Sequence, residues 1–232
     1  MKRLLSITAL WVSLCAVALG QTTTRTVEAT GFTGLRLSGD LEVSLEESTQ
    51  YSVELTGDAE TLDMLVVEVR GNDLVVRPKQ DEFRWGNRLG TVTVNLKAPK
   101  VERVETSGAI KFRTLGTITP ARFRLGISGS GRCDIAIETT ELSVSTSGSS
   151  DVLLRGTAQS LELQMSGSGD ISAFELAAQD VSVSTSGSAN VEVSASRRIE
   201  ASTSGSSNIR YRGAPTDVNM STSGSGKITK VG

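Results

Sequence analysis

Three carboxylates and a column of serines are the residues of this chain whose types and spacing could do chemistry. Asp151 and Asp170 hold the same place in two copies of a repeated word, with Asp134 nearby. Stacked about 5 Å apart, such a pair could bind Ca²⁺ through oxygen ligands or divide the roles of acid and base. The serines recur in STSGSS (145–150), QMSGSG (164–169), STSGSA (184–189), STSGSS (202–207) and STSGSG (221–226). A serine nucleophile needs a base beside it. The 232 residues contain no His, which removes Ser–His–Asp triads, His metal sites and the usual neutral-pH general base. The serine column then reads as a flat, uncharged hydrogen-bonding face or as solvated turns.

The aspartates have an equally plain structural account. Their column reads Lys111, Arg132, Asp151, Asp170, Asn190, Asn208 and Lys227, as a turn position favouring Asp and Asn would. Two exposed carboxylates at that spacing repel by only about 1 kcal/mol in water, so no cation is required. A Ca²⁺-binding nonapeptide roll repeats every nine residues, about half the step seen here. The sharper binding candidates are Phe83 and Trp85, aromatics in the charged stretch KQDEFRWGNRLG (79–90) of a chain with 4% aromatic content. They could anchor a partner or stack on sugars, or fold back over the end of the structure. Phe83, Trp85, Asp151 and Asp170 are therefore the candidate contact residues, with no catalytic, cofactor or metal residue expected.

The elements that must position these residues follow from periodicity. Counting from the glycine of each word gives Gly108, Gly129, Gly148, Gly167, Gly187, Gly205 and Gly224, at steps of 18 to 21 residues. Four before Gly stand Val104, Leu125, Val144, Leu163, Val183, Ala201 and Met220. Four after stand Phe112, Cys133, Val152, Ile171, Val191, Ile209 and Ile228. Positions of this parity are apolar or small and those of the other are polar, which is the period of strands with one buried face. Small residues around the Gly mark a bend, and Gly itself is placed on the inward column. About 19 residues at roughly 3.3 Å each suit a three-sided coil stacked in parallel on its neighbours. The expected fold is all-β, a parallel β-helix or solenoid of about 19-residue coils. An antiparallel sandwich of hairpins is the alternative, and it gives no reason for identical side chains at a fixed step.

Residues 21–100 do not keep that step and read as a strand-rich N-terminal capping region before the repeat region 101–232, in one continuous domain 25–232. Leu35–Val43 alternates like a degenerate first copy, and Tyr51–Leu55 alternates too. Val66–Arg70, Gly71-Asn72-Asp73 and Leu74–Arg77 read as a hairpin. Thr91–Leu96 is a further strand. At the other end, either Lys227 and Lys230 discourage stacking or another subunit covers the last coil.

Residues 1–20 have the three parts of a secretory signal peptide: Lys2-Arg3, an apolar run from Leu4 to Leu19, and small residues before Gln21. The 16-residue run is short for a membrane span. A lipoprotein reading at Cys15 is disfavoured by Leu14. Cleavage leaves no transmembrane span, and Cys133 as the sole cysteine, unable to form an internal disulfide. The net charge of −2 and scattered basic residues exclude a nucleic-acid surface.

The stretches ATGFTGLRLSGDLEVSLEESTQYSVELTGD, VEVRGNDLVVRPK and VTVNLKAPKVERVETSG, followed by SGSGD-like words, resemble the autotransporter adhesin head GIN domain family from about Gly31 to Gly232. The resemblance implies an exported bacterial protein with a right-handed β-helix-like fold, and carries no functional residues. The chain shows no C-terminal membrane barrel. The resulting expectation is a non-enzymatic cell-envelope protein, in the periplasm, on the outer surface or extracellular, acting as an adhesin or scaffold. Its partners would be a surface glycan, another envelope protein or a second copy at the C-terminal end. The alternative is a polysaccharide-binding module or a carboxylate-dependent polysaccharide-acting β-helix enzyme, a lyase or hydrolase.

Overall fold

The computed structural model describes residues 22–79 and 90–232. These residues are all-β apart from one short helix, and their strands form one mixed sheet that does not close. In order they are β1 (Thr22–Thr26), β2 (Gly34–Glu47), β3 (Ser52–Asp58), α1 (Ala59–Asp63), β4 (Leu65–Arg70), β5 (Asp73–Pro78) and β6 (Val92–Ala98). There follow β7 (Arg103–Ile118), β8 (Arg122–Gly205), β9 (Asn208–Arg212), β10 (Asp217–Gly224) and β11 (Lys227–Lys230).

From β7 onward the pairing is parallel, and it sets the repeated words side by side. Val104 pairs Leu125, Gly108 pairs Gly129 and Phe112 pairs Cys133. Likewise Ile199 pairs Val218, Gly205 pairs Gly224, and Val191 pairs Ile209, which β9 in turn pairs with Ile228. β8 is a single run of 84 strand residues. Straight, it would extend for more than about 250 Å. It bends instead at glycines with φ between +112° and +126°, namely Gly129, Gly148, Gly167 and Gly187.

These glycines are required twice over. The positive φ disfavours any side chain. A Cβ on Gly129 would also lie 2.7 Å from the Gly108 carbonyl oxygen, and one on Gly224 would lie 2.6 Å from that of Gly205. The expected inward placement of this glycine column needs correction: none of the seven glycines is buried. The backbone turns over at the glycine, so burial resumes only two residues on, at Ile110, Ser150, Ala189 and Ser207.

The apolar columns four before and four after the glycine are buried from Val104 to Ile209. At the bend the side chains compensate in volume. Ile127 and Met165 face inward where the residue four later is Gly131 or Gly169, and a Cβ on Gly131 would touch Ile127 Cγ2 at 3.3 Å. A second bend lies eight residues after the first, at Gly116, Gly156 and Gly213, with φ of +88°, +114° and +106°.

The N-terminal segment joins the same sheet. β2 pairs β7 in register, with Gly39 beside Gly108, as a first copy of the word should. On its other side β2 pairs two separate strands, β5 along Gly34–Leu37 and β6 along Leu41–Glu47. β4 and β5 form the expected antiparallel hairpin around Gly71 (φ +61°). β6 continues antiparallel to β3, and β3 to β1. Asp73, buried in the hairpin turn, pairs with Arg36 (2.8 Å) and Arg103. It thereby ties β5 to β2 beside it and to β7 one strand further on. The partnership with Asp73 raises the Arg103 pKa above its ordinary value, against a smaller opposing effect of burial.

Candidate functional site

The bend places three outward columns on one surface: the residues three before, one before and one after the glycine. From Ser145 to Ser225 these fifteen positions are fourteen serines and Gln164, with no charge among them. All are exposed except the partly exposed Ser202. Neighbouring parallel segments set equivalent side chains about 4.8 Å apart, so the hydroxyls form a regular array rather than a pocket. Ser202 and Ser184 hydroxyls already meet at 3.4 Å across two segments. A shallow depression within the array is lined by Ser145, Ser147, Gln164, Ser166, Ser184 and Ser186, among others. Charged residues border it, with Glu162 and Glu200 on one side and Asp151 and Asp170 on the other.

The inner side of this bend is also hydroxylated. Thr146 Oγ1, Ser150 Oγ, Thr185 Oγ1 and Thr203 Oγ1 are buried without a hydrogen-bond partner in the protein. Ser207 differs: its Oγ donates to Gly187 O (3.2 Å) and accepts from Ala189 N (3.2 Å).

The structure puts Asp151 and Asp170 in one outward column, each with a neutralising or hydrogen-bonding neighbour. Arg132 reaches Asp151 at 3.2 Å. Asn190 donates to Asp170 (2.8 Å), and Asn208 donates to Asn190 (3.2 Å), a ladder of side-chain amides running along the stack. Asp134 is held by Arg155 at 2.5 Å. No group of three or more acidic, Cys or His residues is close enough to hold a metal ion among the described residues. Phe83 and Trp85 lie outside the described residues, as does the segment 1–20. Cys133 is buried, and burial pushes its thiol pKa up to about 12.

One surface has no counterpart in the expectations above. Along the second bend runs a groove of about 550 Å³, lined by Gln159, Gln179, Ser194, Ser196, Gly213 and other small residues. Beside it Arg212 lies over the Phe174 ring, 5.0 Å from the centroid. The glycines eight after the word are its signal in the sequence, but Ile137, Glu175 and Ala195 interrupt that column. No helix among the described residues is long and apolar enough to cross a membrane.

Comparison with known proteins adds a family and a fold. The family model described as "Putative auto-transporter adhesin, head GIN domain" matches residues 31–215. No curated protein matches the chain. Among solved structures, a putative adhesin from Bacteroides fragilis is similar with a TM-score of 0.87 at 24% identity, covering 91% of this chain and 97% of that one. A protein from Parabacteroides distasonis, described as a putative lipid binding protein, is similar with a TM-score of 0.73 at 22% identity, over 92% and 98%. A putative adhesin from Parabacteroides merdae gives 0.68 at 19%, also over 92% and 98%. At these identities the likeness is one of fold.

Proposed function

We propose, from the premise that this chain belongs to the auto-transporter adhesin head GIN domain family, that it is an exported, non-enzymatic cell-envelope protein that adheres to neutral glycan through its serine array. The observation that carries this reading is the fifteen-position face without a charge, in a chain where 22% of residues are charged. Fixed hydroxyls both donate and accept, and so match sugar hydroxyls without needing an ionic group. Each such bond contributes only about 1 kcal/mol net. A rigid repeating array engages a repeating polymer at many points, which raises avidity without any deep pocket.

The scaffold is read as a right-handed parallel β-helix of about 19-residue coils. The parallel pairings that bring one Gly word beside the next support it, as do the positive φ angles at each bend. Residues 1–20 serve as the signal peptide, and N-terminal sequencing of the exported protein should begin at Gln21. The enzyme reading ranks lower because Asp134, Asp151 and Asp170 are each engaged by a neighbouring side chain.

The test is a glycan array probed with the exported protein, beside a Ser166→Arg/Ser186→Glu variant and a Trp85→Ala variant. Binding to neutral glycans that is little changed by salt and lost in the serine variant is the expected result. Binding lost only in Trp85→Ala would move the site to the segment carrying Phe83 and Trp85, and no neutral glycan bound by the native protein would refute the reading.

A further inference from the structure

The two ends of the stack are finished differently. At the N-terminal end the inward residues Leu35, Leu37, Val53, Leu55, Val92 and Val94 are all buried, under strands that turn antiparallel. At the other end, among the described residues, β10 pairs only with β8, and β11 only with β9. Val218 and Met220 continue the buried columns of Ile199 and Ala201, yet are 48% and 36% exposed. A free strand edge with apolar side chains beside it pairs readily with another strand.

The two strands on this edge are not equally open. β11 carries Lys227 and Lys230, the kind of charge that keeps an edge unpaired. β10 has no Lys, no Pro and no bulge against its partner. Its one charge, Asp217, lies 3.5 Å from Arg198.

We infer that β10 is the interface for a second copy of this chain, joined tail to tail about a two-fold axis by antiparallel β10–β10 pairing. The strand DVNMSTSG is self-complementary in that geometry. Centred on Met220, it places Met220 opposite its counterpart, Val218 opposite Thr222, Asn219 opposite Ser221 and Asp217 opposite Ser223. Apolar and small inward residues then meet one another, and no like charges face. At the N-terminal end Val69 on the edge strand β4 is comparably exposed (37%), but it stands between Glu68 and Arg70, charges of the kind that keep an edge unpaired, so a head-to-tail filament is disfavoured. Ser221 and Ser223 lie on the outward face of β10, opposite Asn219 and Asp217 of the second copy, so the two serine arrays are offset to either side of the axis. The inference rests on edge pairing and exposure, and stands whether or not those arrays bind glycan.

Sedimentation equilibrium of the exported protein tests it. The native protein should be a dimer at micromolar concentration, and Met220→Lys should weaken association at least tenfold with an unchanged circular dichroism spectrum. Because that variant puts a charge on the last coil and could loosen it, Met220→Cys supplies an independent readout. It should form a disulfide-linked dimer under mild oxidation, whereas Val69→Cys, exposed on β4 at the opposite end, should not. A native protein that stays monomeric, or a dimer cross-linked through Val69→Cys and not through Met220→Cys, would overturn the assignment.

Discussion

The segment through Ala98 and the run from Arg103 to Lys230 share a sheet but hold their register by different means. In the long run, the backbone of one word lies directly against the next, and a glycine makes the approach possible. Specificity comes from repetition, and each copy resembles its neighbour. In the N-terminal segment, β2 is the last strand to carry the word, at Ser38-Gly39-Asp40. Beyond it the corner is occupied by Pro78, 3.4 Å from where a Cβ of Gly39 would sit. The pairing then turns antiparallel, and register is fixed by particular side chains: Asp73 with Arg36 and Arg103, Arg25 with Asp63, and Phe32 edge-on to Tyr51 at 4.9 Å. Repetition builds a stack, but it cannot end one, because every copy invites another. Ending it takes unique residues.

That contrast can be broken most severely at a stacked glycine. Gly167→Val should cost several kcal/mol or prevent folding, since a side chain there meets the Gly148 backbone at φ +126°. Gly71→Ala, at a hairpin glycine of φ +61° with nothing within 4 Å of a Cβ, should cost only about 1 kcal/mol of backbone strain. Equal losses in chemical denaturation would show that the stacked contact is not what demands glycine.

Next in size is the link between the regions. Asp73→Ala leaves Arg103 half-buried without its partner and should cost about 2 kcal/mol, discounted because Arg36 is largely exposed. Proteolysis of that variant should begin in the N-terminal segment; uniform destabilisation would mean the two regions unfold as one. Thr185→Val should run the other way. It removes a buried hydroxyl with no protein partner and should be neutral or stabilise by up to about 1 kcal/mol. A loss above that size in a thermal melt would mean the hydroxyl is satisfied.

Much of this was legible because side-chain parity and glycine spacing survive in the sequence. The buried columns from Val104 to Ile209 and the turn at Gly71-Asn72-Asp73 are read directly from it. The outward position of the glycines is not, because alternation assumes a straight strand: the bend brings the glycine to the surface although the residues two before and two after it, such as Thr185 and Ala189, keep the inward parity. The second bend at Gly116, Gly156 and Gly213 is not legible either, because Ile137, Glu175 and Ala195 stand in the same column and hide the glycine spacing. Helix α1 spans five residues without a side-chain cap hydrogen bond, too short to leave a helical period. Of the candidate contacts, Asp151 and Asp170 share one column, but the Arg132 contact and the Asn190–Asn208 ladder that engage them depend on side-chain reach between neighbouring segments, which residue spacing does not carry.

The smallest effects concern those residues and the core thiol. Asp151→Asn with Asp170→Asn should change stability by less than about 0.5 kcal/mol, given exposed partners, and leave glycan binding intact. Loss of an activity in that variant would revive the carboxylate reading. Cys133 should resist thiol reagents until the protein unfolds. Its folded pKa of about 12 stands above the ordinary 9.0, so its stabilising share is complete below about pH 9 and fades as pH climbs towards 12. Rapid modification at neutral pH would show that the core column opens there.

The central claim is that each Ser-Gly word lies in parallel register on the one before it. A cysteine pair at Ser166 and Ser186 tests it directly. Neighbouring segments about 4.8 Å apart fall within disulfide reach, whereas Ser166 and Ser204, two segments apart at about 9.6 Å, do not. The account predicts rapid intramolecular closure of the first pair and none of the second; no closure of either, or equal closure of both, would contradict it.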